Sequence, residues 1–142
     1  MADQTCFAFE LTNRSSELST LCEQLERIGE TLKLSRRSIF EINLAMDEIF
    51  TNIISYGFTD QAEHAVRVCV SADSDRLTLV VEDDGVPFNP VERLTAHGPD
   101  NVESCRIGGL GIHLVKNLVD EISYRRCGGK NILTLKKTVE KT

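Results

Sequence analysis

No stretch of this sequence stays apolar for the ~18 residues that a membrane-crossing helix needs. Its opening, MADQTCFAFELTN, has no basic start followed by an apolar run. Neither a membrane span nor a secretion leader is therefore expected. Positive charge is scarce: 16 Lys and Arg against 22 Asp and Glu leave a formal net charge of −6. Binding to a nucleic-acid backbone requires a basic surface, so no direct nucleic-acid partner is expected. The deficit does not weigh against a nucleotide held by backbone N–H groups and a metal ion. Paired cysteines are missing too. The five (Cys6, Cys22, Cys69, Cys105, Cys127) are odd in number, and none forms C-x-x-C. They read as free thiols in a reducing cytoplasm, not as a disulfide framework or zinc site. His64, His97 and His113 are scattered without metal-ligand spacing, and nothing local supports a Cys/His catalytic pair. Internal repeats, low-complexity segments and linkers are absent as well.

What remains is 142 residues, 41% hydrophobic and 27% charged, the profile of one globular domain over 1–142. Thr5 to Leu11 alternates apolar and polar residues and reads as a strand. Ser15 or Ser16 is placed to cap a helix running to about Leu32, and Ser35 a second through about Tyr56, ending near Gly57. Ala65–Ala72 and Arg76–Glu82 are β-rich runs around Asp-Ser-Asp, a hairpin signal. Residues 86–107 hold Pro87, Pro90, Gly98 and Pro99 without a regular period, and read as a functional lid. Leu110–Val119 reads as a third helix, followed by a hairpin of Ile122–Arg126 and Ile132–Lys136. Strands grouped in hairpins with helices between the groups predict an α+β fold. It is a two-layer sandwich, a mostly antiparallel sheet with helices on one face.

Three groups of residues carry chemical potential. Glu48 and Asn52 stand four apart on one helix face, about 6 Å apart along the axis. An amide oxygen is a hard neutral ligand suited to Mg²⁺, and a carboxylate can accept a proton. An isolated E-x-x-x-N reads more commonly as a solvated helix face. Asp83-Asp84-Gly85 follows the apolar strand Leu77–Val81. An Asp there can accept a hydrogen bond from an exocyclic amine such as adenine's, and Gly85 lets the backbone approach the ring. The plainer reading is a strand-ending turn. Gly108-Gly109-Leu110-Gly111 opens the third helix, where N–H groups and the helix dipole favour phosphate. It is neither a Walker A loop nor a Rossmann fingerprint, and a flexible hinge is the alternative.

Together the three groups fit one nucleotide site, and here the sequence resembles a family. Ala45–Ile54 looks like the N box of the GHKL (Bergerat-fold) ATPases, Asp83-Asp84-Gly85 like the G1 box and Gly108–Ile112 like the G2 box. Within that superfamily Gly109–Glu121 and Val86-Pro87-Phe88-Asn89-Pro90 resemble the anti-sigma-factor serine/threonine kinases. Gly128–Leu135 resembles their closing hairpin, so the likeness spans nearly the whole chain.

The resemblance implies ATP and Mg²⁺ as cofactors. Asn52 would hold the metal and Glu48 would be the general base. Asp83 would bind the adenine amine with Gly85 beside the ring. Gly108, Gly109, Leu110 and Gly111 would surround the phosphates, and Thr134 would support the adenine end. Arg106 either reaches the γ-phosphate or is a solvated lid residue. Pro87 stands where many members have a second G1 glycine, a feature of the anti-sigma branch. Asp47 adjoins Glu48, but neighbouring helical side chains diverge, so it is not the base.

The implied protein is an ATP- and Mg²⁺-dependent kinase acting on a Ser or Thr of an anti-sigma-factor antagonist. It would also bind a sigma factor, and in this family such proteins often form homodimers. A histidine kinase is disfavoured, because no His lies on a helix ahead of the N box. The alternative is a nucleotide-gated partner-binding module without kinase activity.

Overall fold

The computed structural model describes residues 5–91 and 110–142. β1 (Thr5–Thr12) leads through a 3-10 turn (Ser15–Glu17) into α1 (Leu18–Thr31) and α2 (Arg36–Tyr56). β2 (Ala65–Asp73) and β3 (Arg76–Asp83) follow, then α3 (Leu110–Leu118), β4 (Glu121–Cys127) and β5 (Lys130–Thr138). The order in the sheet is β1-β2-β3-β5-β4, with every neighbouring pair antiparallel. This is the α+β sandwich that the grouping of strands and helices leads one to expect.

The turns carry their own chemistry. Ser74 takes a left-handed φ of 59° between β2 and β3. Gly128 and Gly129, at φ 58° and 76°, make the two-residue turn that pairs Cys127 with Lys130. Two successive positive φ values suit the right-handed twist of the flanking strands, and glycine adopts them without steric cost.

Ser35 caps α2, its hydroxyl accepting from the Ser38 N–H at 3.1 Å, as its position in the sequence suggests. The expected serine cap of α1 does not form. The 3-10 turn intervenes, and Glu17 at the N-cap makes no side-chain cap bond. Its Oε1 instead turns back to accept from the N–H and hydroxyl of Thr12, each at 3.0 Å.

Strand alternation decides which face is buried. Leu11, Val66, Val68, Val70, Leu77, Leu79, Val81, Leu133 and Leu135 share one core with Leu21 and Leu25 of α1 and Ile42, Met46, Ile49 and Phe50 of α2. Helix α2 packs between α1 and α3. Three polar residues sit on the same inward face as these leucines and valines: Asp83, Asn131 and Lys137. Lys137 Nζ donates to the Leu118 carbonyl at 2.7 Å and pairs with Glu41 at 2.9 Å. It thereby ties the C-terminal end of α3 to both β5 and α2, with the cation sign that a helix C-terminus favours.

Candidate nucleotide site

Asp83 and Asn131 are direct partners across β3 and β5, and Asn131 and Arg126 across β5 and β4. One row of the sheet thus places three polar side chains at the end facing the N-terminal ends of β3's neighbours. Asp83 is buried, and its Oδ1 accepts from the Gly85 N–H and from Asn131 Nδ2, both at 2.9 Å. Burial pushes its carboxyl above the usual aspartate range, while these two donors work in the opposite direction. Both bonds run to Oδ1, so among the described residues Oδ2 is the oxygen left for another partner.

Asn131 is the hub of this network. Its Nδ2 also donates to the Val86 carbonyl at 2.8 Å. Its Oδ1 accepts from Phe88 N–H at 3.2 Å, from Tyr124 OH at 2.5 Å and from Arg126 Nη1 at 3.1 Å. Three donors on one oxygen fix which end of the amide faces Asp83. Arg126 Nη1 further donates to the Gly85 carbonyl at 2.7 Å.

Asn52 approaches the same pocket from α2. It is 3% exposed, and its Nδ2 donates to the Glu48 carbonyl one turn back at 2.8 Å. That bond turns Oδ1 away from the helix, where it is buried and has no hydrogen-bond partner among the described residues. A buried acceptor left bare costs about 1–3 kcal/mol, so it is the atom in this wall that a ligand would satisfy. The pocket is lined by Ile49, Asn52, Val81, Asp83, Phe88 and Asn131, among others. Its volume is about 10 Å³, room for about one water molecule. Phe88 also packs on Tyr56, ring centroids 5.7 Å apart. A purine needs more room than this pocket offers as it stands.

Glu48 lies one turn from Asn52, half-buried, against the first turn of α3. Burial raises its carboxyl above the ordinary glutamate range, and the charge of Asp47 adds to this. Asp47 itself is exposed. The structure therefore brings Glu48, Asn52, Asp83 and Gly111 to one end of the molecule.

Gly85 also makes a contact that the sequence did not suggest. A β-carbon there would strike the Gly57 carbonyl, which accepts from Val86 N–H at 2.7 Å. The glycine thus permits two loops to close on each other. Thr134 corrects the sequence reading: it pairs with Val80 and Ser123, one residue out of phase with Leu133 and Leu135. It lies on the sheet face away from the helices, and Asn131 occupies the place beside Asp83. Arg106, Gly108, Gly109 and most of the expected lid lie outside the described residues, as does the side chain of Leu110.

Sequence reasoning passed over Asn131, Tyr124, Arg126 and the loop before β2. In that loop His64 bridges Asp60 (2.8 Å) and Asp84 (3.0 Å) and stacks on Phe58, ring centroids 4.6 Å apart. A usable signal existed for Asn131, a polar residue in phase with inward leucines.

Known proteins resemble this chain over most of its length. Residues 11–137 match the family described as "Histidine kinase-like ATPase domain". The serine/threonine-protein kinase BtrW of Bordetella bronchiseptica is 29% identical over 111 residues, covering 78% of each chain. The serine-protein kinase RsbW of Listeria innocua is 27% identical over 121 residues, 82% of this chain and 77% of the relative. Among solved structures, that of the RsbU and RsbW domains of Rv1364c from Mycobacterium tuberculosis matches 95% of this chain with a TM-score of 0.68 and 16% identity. This chain spans 32% of that longer one, and the likeness bears on the fold.

Proposed function

Because this chain belongs to the histidine kinase-like ATPase domain family, we propose that it is an ATP- and Mg²⁺-dependent protein kinase that phosphorylates a Ser or Thr hydroxyl on a partner protein. The partner is an anti-sigma-factor antagonist, and the same chain binds a sigma factor. The observation that carries the reading is the bare Asn52 Oδ1, buried in a pocket whose opposite wall presents Asp83. The names of the relatives, serine/threonine- and serine-protein kinases, support the choice of reaction.

The donor set fits Mg²⁺. Among the described residues no group of three His, Cys, Asp or Glu side chains is placed to hold a metal. Mg²⁺ takes few protein ligands and fills its octahedron with phosphate oxygens and water. Asn52 Oδ1 would hold it, and when bound it would neutralise charge on the phosphates. The protein's own residues do the rest. Asp83 Oδ2 accepts from the adenine amine, with Asn131 and the Gly85 N–H holding the carboxylate in place. Glu48 takes the proton of the acceptor hydroxyl. Its burial-raised pKa brings a carboxylate closer to the working pH, which suits a general base. Gly111 and its neighbours at the head of α3 offer N–H groups toward the phosphates.

Two variants test the reading. Glu48→Gln keeps size but removes the proton acceptor, so ATP affinity should persist while phosphotransfer falls by about 10²–10⁴-fold. Asn52→Ala should lose Mg²⁺-dependent binding and transfer together. Single-turnover transfer to the antagonist, measured beside calorimetric ATP affinity, decides. Wild-type protein that binds ATP and a sigma factor but transfers no phosphate would make this a nucleotide-gated binding module instead. A homodimer, with edge strand β1 and α1 as its surfaces, belongs to the same proposal and is read by sedimentation.

A further inference from the structure

Gly111 is the second residue of α3, and the space beside it is already claimed. A β-carbon built there would overlap Oε2 of Glu48 and stand 3.0 Å from its Cδ and 3.6 Å from its Cγ. All three nearest obstructing atoms belong to that one side chain. We infer that Gly111 is a positioning residue for Glu48: by withholding a side chain it keeps open the place at the head of α3 where the carboxylate lies during proton transfer. The inference rests on the kinase reading of the site. In the step concerned, the acceptor hydroxyl oxygen bonds to the γ-phosphorus. The bond from phosphorus to the bridging oxygen breaks, its electron pair leaving with ADP, and the hydroxyl proton passes to Glu48.

Glu48 is well suited to be displaced. The obstructing atoms are the far end of a flexible side chain, so an added methyl is relieved when Glu48 rotates away, with no shift of α3. Alanine is also the better helix former. Gly111→Ala should therefore leave the fold as stable as before, or more so, while misplacing the base. A glycine needed only for close approach to phosphates would behave otherwise, losing nucleotide affinity first.

The test combines Gly111→Ala, Glu48→Asp and the double variant. For Gly111→Ala, which keeps the backbone N–H offered to the phosphates, we expect an unchanged or raised Tm and a loss of ATP affinity much smaller than the loss of transfer. Single-turnover phosphotransfer should be slower by about 10-fold or more, a loss confined to the chemical step. Glu48→Asp shortens the side chain by one methylene and clears the methyl. Adding Gly111→Ala to it should cost far less than adding it to the wild type, a coupling that a double-mutant cycle reads directly. Equal costs in both backgrounds, or parallel loss of affinity and transfer, overturn the inference. A crystal structure of Gly111→Ala separates it from the kinase reading. Glu48 swung away supports the positioning role even if the wild type transfers no phosphate. Glu48 in its original place overturns it.

Discussion

Asp83 has one oxygen saturated by two donors, which sets what its replacement does. In Asp83→Asn the Asn131 amide and the Gly85 N–H still require an acceptor at Oδ1. The new Nδ2 must then face the pocket and meet the adenine amine donor to donor. ATP affinity should fall by about 1.5–3 kcal/mol, the value of a charge-assisted hydrogen bond, with little change in the fold; calorimetry measures it. His64 gives a pH prediction. The Asp60 hydrogen bond raises its pKa most, the Asp60 charge and Asp84 add to it, and partial desolvation opposes them. A raised histidine pKa means the bridge stabilises fully below the ordinary value near 6.5. That contribution disappears as pH rises through the higher folded value. Thermal scans from pH 6 upward should show this decline in the wild type, and His64→Gln should flatten it. At this scale Glu48, Asn52 and Asp83 were legible in the sequence, because helix spacing and a strand end are local signals. Asn131 was not singled out, and Thr134 was chosen three residues away from it, on the other face of β5. Phase along β5 would have separated them, since Leu133 and Leu135 mark the inward positions and Thr134 falls between them.

Among the elements, α3 is held at its far end while its head bears on Glu48. Lys137 donates to the Leu118 carbonyl and to Glu41, and its hydrogen bond is the main reason the Glu41 carboxyl lies below the usual range. Lys137→Met fills similar space but strands the carbonyl and the half-buried carboxylate. It should cost about 1–3 kcal/mol, as for other buried groups left without a partner. Urea unfolding checks this. A midpoint equal to the wild type's would mean that α3 is anchored by apolar contacts alone. A depressed carboxylate pKa stabilises above the unfolded value, so the wild type's advantage should shrink as pH falls through the folded pKa of Glu41. The elements themselves were largely readable. Ser35 and Gly57 bracket α2, and alternation in β1, β-rich runs in β2 and β3 and a closing hairpin in β4 and β5 located the five strands, β4 and β5 running a residue or two further than expected. The start of α1 was not readable, because Glu17 finds a partner in Thr12 and a short 3-10 turn replaces the serine cap.

Across the whole molecule, the site joins groups from opposite layers: Asn52 and Glu48 from the helices, Asp83 and Asn131 from the sheet. A ligand that bridges them should stabilise the fold by mass action, by about 2.7 kcal/mol at 100 times its Kd. ATP with Mg²⁺ should therefore raise Tm, EDTA should remove most of the rise, and Asn52→Ala should be insensitive to the metal. No rise with millimolar MgATP would count against the nucleotide site. The fold class was legible because hairpin grouping is a local pattern. The strand order was not, since nothing in β3 says that its second neighbour is β5.

That neighbour arrives late. Leu79 pairs with Leu135 and Val81 with Leu133, so the middle of the sheet is closed by residues made long after β3. At about 5–20 residues per second, a nascent chain presents β3's open edge, with Leu77, Leu79 and Val81, for several seconds. Unpaired apolar edges of this kind recruit other chains. During synthesis this protein should therefore depend on the ribosome's neighbourhood and its chaperones, and stalled chains ending before Lys130 should fall into the insoluble fraction while chains that include β5 stay in solution.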